Sequence, residues 1–169
     1  MHGNRWLVPV ALAGALMLSP SVALAARISG RIVENVGIKT AKLNLHDTTD
    51  THRLGWSYRR VVDDNYAYTV YKYLFGKKSS KSGHYPLEMY SKKSNRLVFT
   101  FIVYSPLLVT KNRTHVGTGE DALKSRYGSR VTKWPASNGY TYYSMHAGSG
   151  LTEFWCKSGK VHHIVIAKL

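Results

Sequence analysis

Hydrophobic and polar positions alternate in several short stretches of this chain, and the helical period shows clear ends only once. "NYAYTVYKYLFG" (65–76) puts Tyr66, Tyr68, Val70, Lys72 and Leu74 on one side and Ala67, Thr69, Tyr71, Tyr73 and Phe75 on the other. That alternation predicts a strand, and large groups on both sides predict that its second face also meets something. Two stretches read as hairpins: "LEMYSKKSNRLVFTFIV" (87–103), turning at Ser94-Asn95, and "LTEFWCKSGKVHHIVIA" (151–167), turning at Ser158-Gly159. Ser-Gly suits the two-residue primed turn of a tight hairpin. Tyr140 to His146 predicts one more strand, and clusters between Ile28 and Leu45 predict an opening strand and turn. The clear helix runs from Thr118 to Gly128. Thr118 with Asp121 resembles a capping box, Ala122, Leu123 and Tyr127 form an apolar stripe, and Gly128 suits the position past the end. Another helix is expected from His46 or Asp47, although Thr48, Thr49 and Thr51 are poor helix formers.

These pieces recur in order. Leu54-Gly55 matches Tyr127-Gly128, and the first hairpin matches the second when Leu87, Tyr90, Lys93, Ser94, Arg96 and Leu97 are set against Leu151, Phe154, Lys157, Ser158, Lys160 and Val161. The expectation is an α+β fold of two repeated units, each a short helix plus an antiparallel hairpin or meander, with the sheets joined into one concave surface. The units are 26–104 and 105–169.

Residues 1–25 read as an export signal. Arg5 supplies a positive start, Trp6 to Leu18 is apolar, and Ala23-Leu24-Ala25 is a small-x-small cleavage pattern. The apolar run stops at Ser19-Pro20, short of the ~20 residues that span a bilayer. The remaining chain is then periplasmic or extracellular and carries no transmembrane segment. Cys156 is the only cysteine, so no intramolecular disulfide can form. A small buried hydrophobe is the plain reading of such a residue. Lys and Arg number 24 against 9 Asp and Glu, a formal +15. An exported protein with that excess tends to sit near anionic lipid or polysaccharide, though charge also serves solubility alone. Lys77, Lys78, Lys81, Lys92, Lys93 and Arg96 are the candidates for such a surface.

A helix ending in Leu-Gly or Tyr-Gly, followed by a meander with a basic turn, resembles the SmpA/OmlA outer-membrane-assembly lipoprotein module. In tandem it resembles the β-lactamase-inhibitor-protein (BLIP-like) fold. That module typically reads Leu-Gly-Met-Thr, a short helix, then Leu-Gly. The chain offers Leu43-Asn44-Leu45-His46 closing at Leu54-Gly55, and Val116-Gly117-Thr118-Gly119 closing at Tyr127-Gly128. Asp50 stands where the second copy has Leu123, and the stapling and lipidation cysteines of those families are missing. The resemblance implies a concave sheet surface that binds partners.

A Ser158-Gly159 turn would pair Cys156 with Val161, Trp155 with His162, Phe154 with His163 and Glu153 with Ile164. Trp155 and His162, extended by Tyr140 and Tyr142, would make a protein-binding patch, since aromatic side chains bring large contact area. Core packing for Trp155 is the plainer alternative. Cysteine–histidine catalysis needs the two groups within hydrogen-bond reach, and His163 shares a face with Cys156 only diagonally in this register. His162 and His163, adjacent on a strand, point to opposite faces and cannot chelate one ion without a bulge. No cofactor, metal site or enzymatic activity is therefore expected. Basic strands with interleaved tyrosines could stack nucleic-acid bases, but export and the absence of an RNP-like or helix-turn-helix pattern argue against it. The reading is an exported non-enzymatic protein that binds or inhibits another exported or envelope protein through a concave aromatic sheet face. The alternative is a basic structural protein held on anionic membrane or cell-wall polymer.

Overall fold

The computed structural model describes residues 28–38, 43–45, 56, 58–64 and 69–169. The expected export signal, the helix expected from His46 and the Leu54-Gly55 motif lie outside these residues. Among the described residues twelve strands follow in order: β1 (Gly30–Val33), β2 (Gly37–Ile38), β3 (Leu43–Asn44), β4 (Tyr58–Asp63), β5 (Val70–Phe75), β6 (Leu87–Lys92), β7 (Val98–Val103), β8 (Leu108–Thr110), β9 (Thr132–Pro135), β10 (Tyr140–Ala147), β11 (Gly150–Lys157) and β12 (Lys160–Lys168). A single α-helix among the described residues, α1 (Glu120–Tyr127), lies between β8 and β9.

The fold is mostly β, which overturns the expected pair of helix-plus-hairpin units. Eight strands make one antiparallel sheet in the order β4-β5-β6-β7-β12-β11-β10-β9. A second sheet, β3-β2-β1-β8, pairs β1 with β8 in parallel, so residues of the expected first unit are laced to residues of the second. Each half of the large sheet is a four-strand meander, and the meanders meet where Val165 stands opposite Ile102.

The residue-by-residue match read from the sequence is out by one. Leu87 is buried in the core, whereas Leu151 pairs with Ala167 and is half-buried; Phe154 is in the core cluster that Tyr90 does not join. Because side chains alternate along a strand, a slip of one residue exchanges the faces. Sheet positions instead match "LEMYSK" (87–92) to "TEFWCK" (152–157). A bulge falls at Tyr90/Ser91 in one hairpin and at Trp155/Cys156 in the other. The turn expected at Ser94-Asn95 lies within a longer loop: Ser91 pairs with Val98, and Arg96, at φ 57°, donates its N–H back to Lys92. Ser158-Gly159 does form the tight primed turn, with φ of 50° and 72°.

One face of the large sheet carries Tyr73, Phe75, Leu87, Met89, Phe101, Val103, Phe154, Cys156, Val161, Ile164 and Ile166. With Ile32, Ile38 and Leu108 of the small sheet and Leu123 and Tyr127 of α1 they form one apolar cluster. The Tyr127 ring lies 4.9 Å from that of Phe154, placing the helix on this face. The helix begins at Glu120, with Gly119 as its uncapped N-cap; Thr118 instead accepts the His115 N–H. Glu120 is tied to the sheet by the Tyr143 hydroxyl and Lys133. The Tyr143 hydrogen bond is the main reason its carboxyl is held below the usual range. The small sheet docks through the β1–β2 turn: Asn35 donates its N–H to Thr152 Oγ1, and its carbonyl lies where a Cβ at Gly150 would stand. No helix of the described residues is long and apolar enough to cross a membrane.

Candidate functional site

The bulge at the end of the second hairpin builds the site. Cys156 pairs with Val161 as expected, but the next pair is Trp155 with His163, leaving His162 as the extra residue. From there Phe154 pairs with Ile164 and Glu153 with Val165, correcting the expected partners of Trp155, Phe154 and Glu153. The physical reason is burial. An unbulged β12 would send His163 into the core and Ile164 out, whereas the extra residue seats Val161, Ile164 and Ile166 all inside. His163 then falls on the face opposite Cys156.

That outer face carries a row of rings. Tyr142 and Trp155 are direct cross-strand partners, with ring centroids 4.9 Å apart and planes within 17°. Trp155 stacks on His163 at 5.4 Å and 16°. His163 meets Tyr104, just past the end of β7, at 5.4 Å, and Tyr104 stacks on His84 at 4.1 Å and 5°. The row thus crosses four strands and ends on the β5–β6 loop. Trp134 on edge strand β9 faces Tyr142 across the last pair, is 47% exposed, and donates its indole N–H to Ser144. Tyr140 stands nearly perpendicular to the row, 6.1 Å from Trp155 and 5.4 Å from His162, with Lys157 Nζ 4.7 Å over its ring.

Such centroid spacings are too short for rings lying flat side by side. The rings stand on edge and use their faces on one another, so the surface meets solvent as ring edges and polar tips. The Trp155 indole N–H is fixed by Glu153 Oε2 at 2.7 Å. His162 and His163 are joined Nδ1 to Nδ1 at 3.0 Å, one ring donating and the other accepting. Burial, then the neighbouring His162 and His84, pulls the His163 imidazole down to about 4; burial also lowers His162. Burial first, then Glu88 and Tyr140, pushes the Tyr104 hydroxyl up to about 12. His163 and Tyr104 are therefore uncharged at neutral pH.

The structure brings Trp155, His162, Tyr140 and Tyr142 together on the face away from α1. It separates the basic candidates. Lys77, Lys78 and Lys81 are exposed on the β5–β6 loop, while Lys92, Lys93 and Arg96 lie at the far end of β6, six residues or ~20 Å away. Sequence reasoning missed His163, Tyr104, His84 and Trp134. The bulge hid the first. The others are distant in sequence, and only the order of strands brings them into the row. Cys156 is buried, and desolvation pushes its thiol up to about 12. Among the described residues no group of three or more His, Cys, Asp or Glu side chains is assembled to hold a metal ion.

No family model matches the chain, and no curated protein matches it. Among solved structures it is similar in fold to the uncharacterized protein yfeY from Escherichia coli. The TM-score is 0.54 at 11% identity, over 83% of this chain and 99% of the other. At that identity the likeness concerns the fold alone.

Proposed function

We propose that the protein is an exported, non-enzymatic binding module that takes up a protein partner on its aromatic sheet face. The observation that carries this reading is the row Tyr142–Trp155–His163–Tyr104, half-buried, self-stacked and held in place by Glu153. Rings immobilised before binding lose little further entropy on association, the condition under which Trp and Tyr act as anchors. Upright rings offer no broad face for a sugar to lie on, which favours a protein surface over a glycan. The buried Cys156, on the opposite face from the histidines, supports a role other than thiol catalysis. Kinship with SmpA/OmlA modules rests on the short motifs around Val116 to Thr118 and Tyr127-Gly128.

The test is affinity capture from the native envelope or culture fluid with wild type, Trp155→Ala and Lys92→Gln/Lys93→Gln side by side. A partner held by wild type and the lysine variant, and lost with Trp155→Ala, is the expected result. Capture that ignores Trp155 and fails with the lysine variant would transfer the proposal to a charged surface.

A further inference from the structure

Beside the aromatic row a cleft of about 300 Å³ opens between the β5–β6 loop, the β11–β12 turn and the segment before α1. Its cationic groups are Lys157 and Lys160, with His84 and His162 beside them and Ser82 at the rim. Its carbon wall is Tyr104, Val116 and Val161. No carboxylate lines it.

The two lysines are the informative pair. They are direct cross-strand partners at the base of the tight Ser158-Gly159 turn, and like charges set opposite one another in a hairpin destabilise it. Among the described residues neither has an acidic partner. By contrast Lys72, Lys124 and Lys133 each find a Glu or Asp within 4 Å. Lys157 is occupied only by the Tyr140 ring. A concave site with paired, uncompensated ammonium groups attracts an anion.

We propose that this cleft binds a phosphate ester carried on a body about the size of one sugar ring. Lysine ammonium groups act as point charges that bind phosphate from several sides, and two of them match the charge of about −2 on a phosphate monoester at neutral pH, twice that of a carboxylate. Its volume lies at the small end of the ~300–1,000 Å³ typical of ligand sites, enough for one ring-sized body. The apolar wall receives that body while the lysines hold the phosphate. The site does not depend on the protein partner proposed above, although Tyr104, His84 and His162 belong to both.

The experiment is an amide NMR titration of the protein with glucose 6-phosphate, inorganic phosphate and glucose at constant ionic strength. Saturating shifts at Ser82, Gly117 and Lys157 to Lys160 are expected with both phosphates. Glucose 6-phosphate should bind about tenfold tighter than inorganic phosphate because the body adds contact area, and glucose should give no saturation. Lys157→Gln/Lys160→Gln should weaken binding about tenfold or more, while Lys157→Arg/Lys160→Arg keeps most of it. Shifts that never saturate, or equal binding by the Gln variant, would overturn the site. Equal affinity for the two phosphates would overturn the ring-sized body.

Discussion

Glu153 accepts the indole N–H of Trp155, two residues along one strand and on the same face. Glu88 accepts the hydroxyl of Tyr90 in the same relation, at 2.8 Å, at the equivalent position of the other meander. In one half the acid also holds Lys72, at 3.0 Å, and Lys72 lies over Tyr90. In the other, Tyr142 replaces the lysine and stacks on Trp155. One strand pattern, Glu-x-aromatic, thus supports a charged cluster in the first meander and the aromatic row in the second.

The indole of Trp155 is the centre of that row. Trp155→Ala should weaken partner binding by at least ~30-fold, the scale of a hot-spot anchor, while unfolding stays cooperative. Glu153→Ala should cost about tenfold by freeing the anchor without removing it, at the 1.4 kcal/mol per decade that links affinity to free energy. Titration calorimetry with the captured partner, beside a thermal melt of each variant, reads both. Equal losses from the two substitutions would contradict the positioning role.

His163 sets a pH dependence of stability. The unfolded imidazole takes a proton near 6.5, the folded one only at about 4. Between these values the unfolded chain binds more protons, so stability is full above pH ~6.5 and falls as pH drops toward 4. After discounting for partial contact with water, the loss is on the order of 2–3 kcal/mol. His163→Phe keeps a ring in the row and removes the titration. Denaturant unfolding at pH 7 and 4.5 should show the variant losing less than wild type, although carboxylates titrate in both.

Cys156 should resist modification. It is 1% exposed, and its thiol is pushed up to about 12, first by burial. Thiolate, not thiol, is the nucleophile. An aromatic disulfide reagent at pH 8 should label it only in denaturant, at a rate set by unfolding. Immediate labelling of the native protein would show the core strand open.

Gly150→Ala should lower the melting temperature strongly, because its Cβ would overlap the Asn35 carbonyl where the small sheet docks. A cost of about 1–3 kcal/mol is expected for forced overpacking. Gly119→Ala, where a Cβ meets nothing, should cost less, about the loss of a glycine N-cap.

The strands were legible wherever alternation was strict and a turn residue was specific, as at Ser158-Gly159 with Cys156 opposite Val161. The bulge was not, since inserting His162 changes no composition and leaves alternation intact on either side. One clue stood in the text of the chain. Aligning "EMYSK" with "EFWCK" by their shared Glu and Lys, rather than by the turns, gives the true equivalence and puts Trp155 level with Tyr90. The helix-plus-hairpin expectation gave too much weight to α1 and too little to the short strands β8 and β9. Their few residues carry no period, and the sheets they join decide their state. His84 and Tyr104 were beyond reach because stacking across a loop leaves no local pattern.

The seam at Ile102 and Val165 has a consequence for the halves taken apart. Severed in the segment before α1, each half would end its sheet on a bare, apolar strand of unanswered amides and carbonyls. Bare edges of that kind seek a mate. Separate fragments would therefore cross-pair or clump, and the intervening polypeptide works as a tether that makes the correct mate the nearest one.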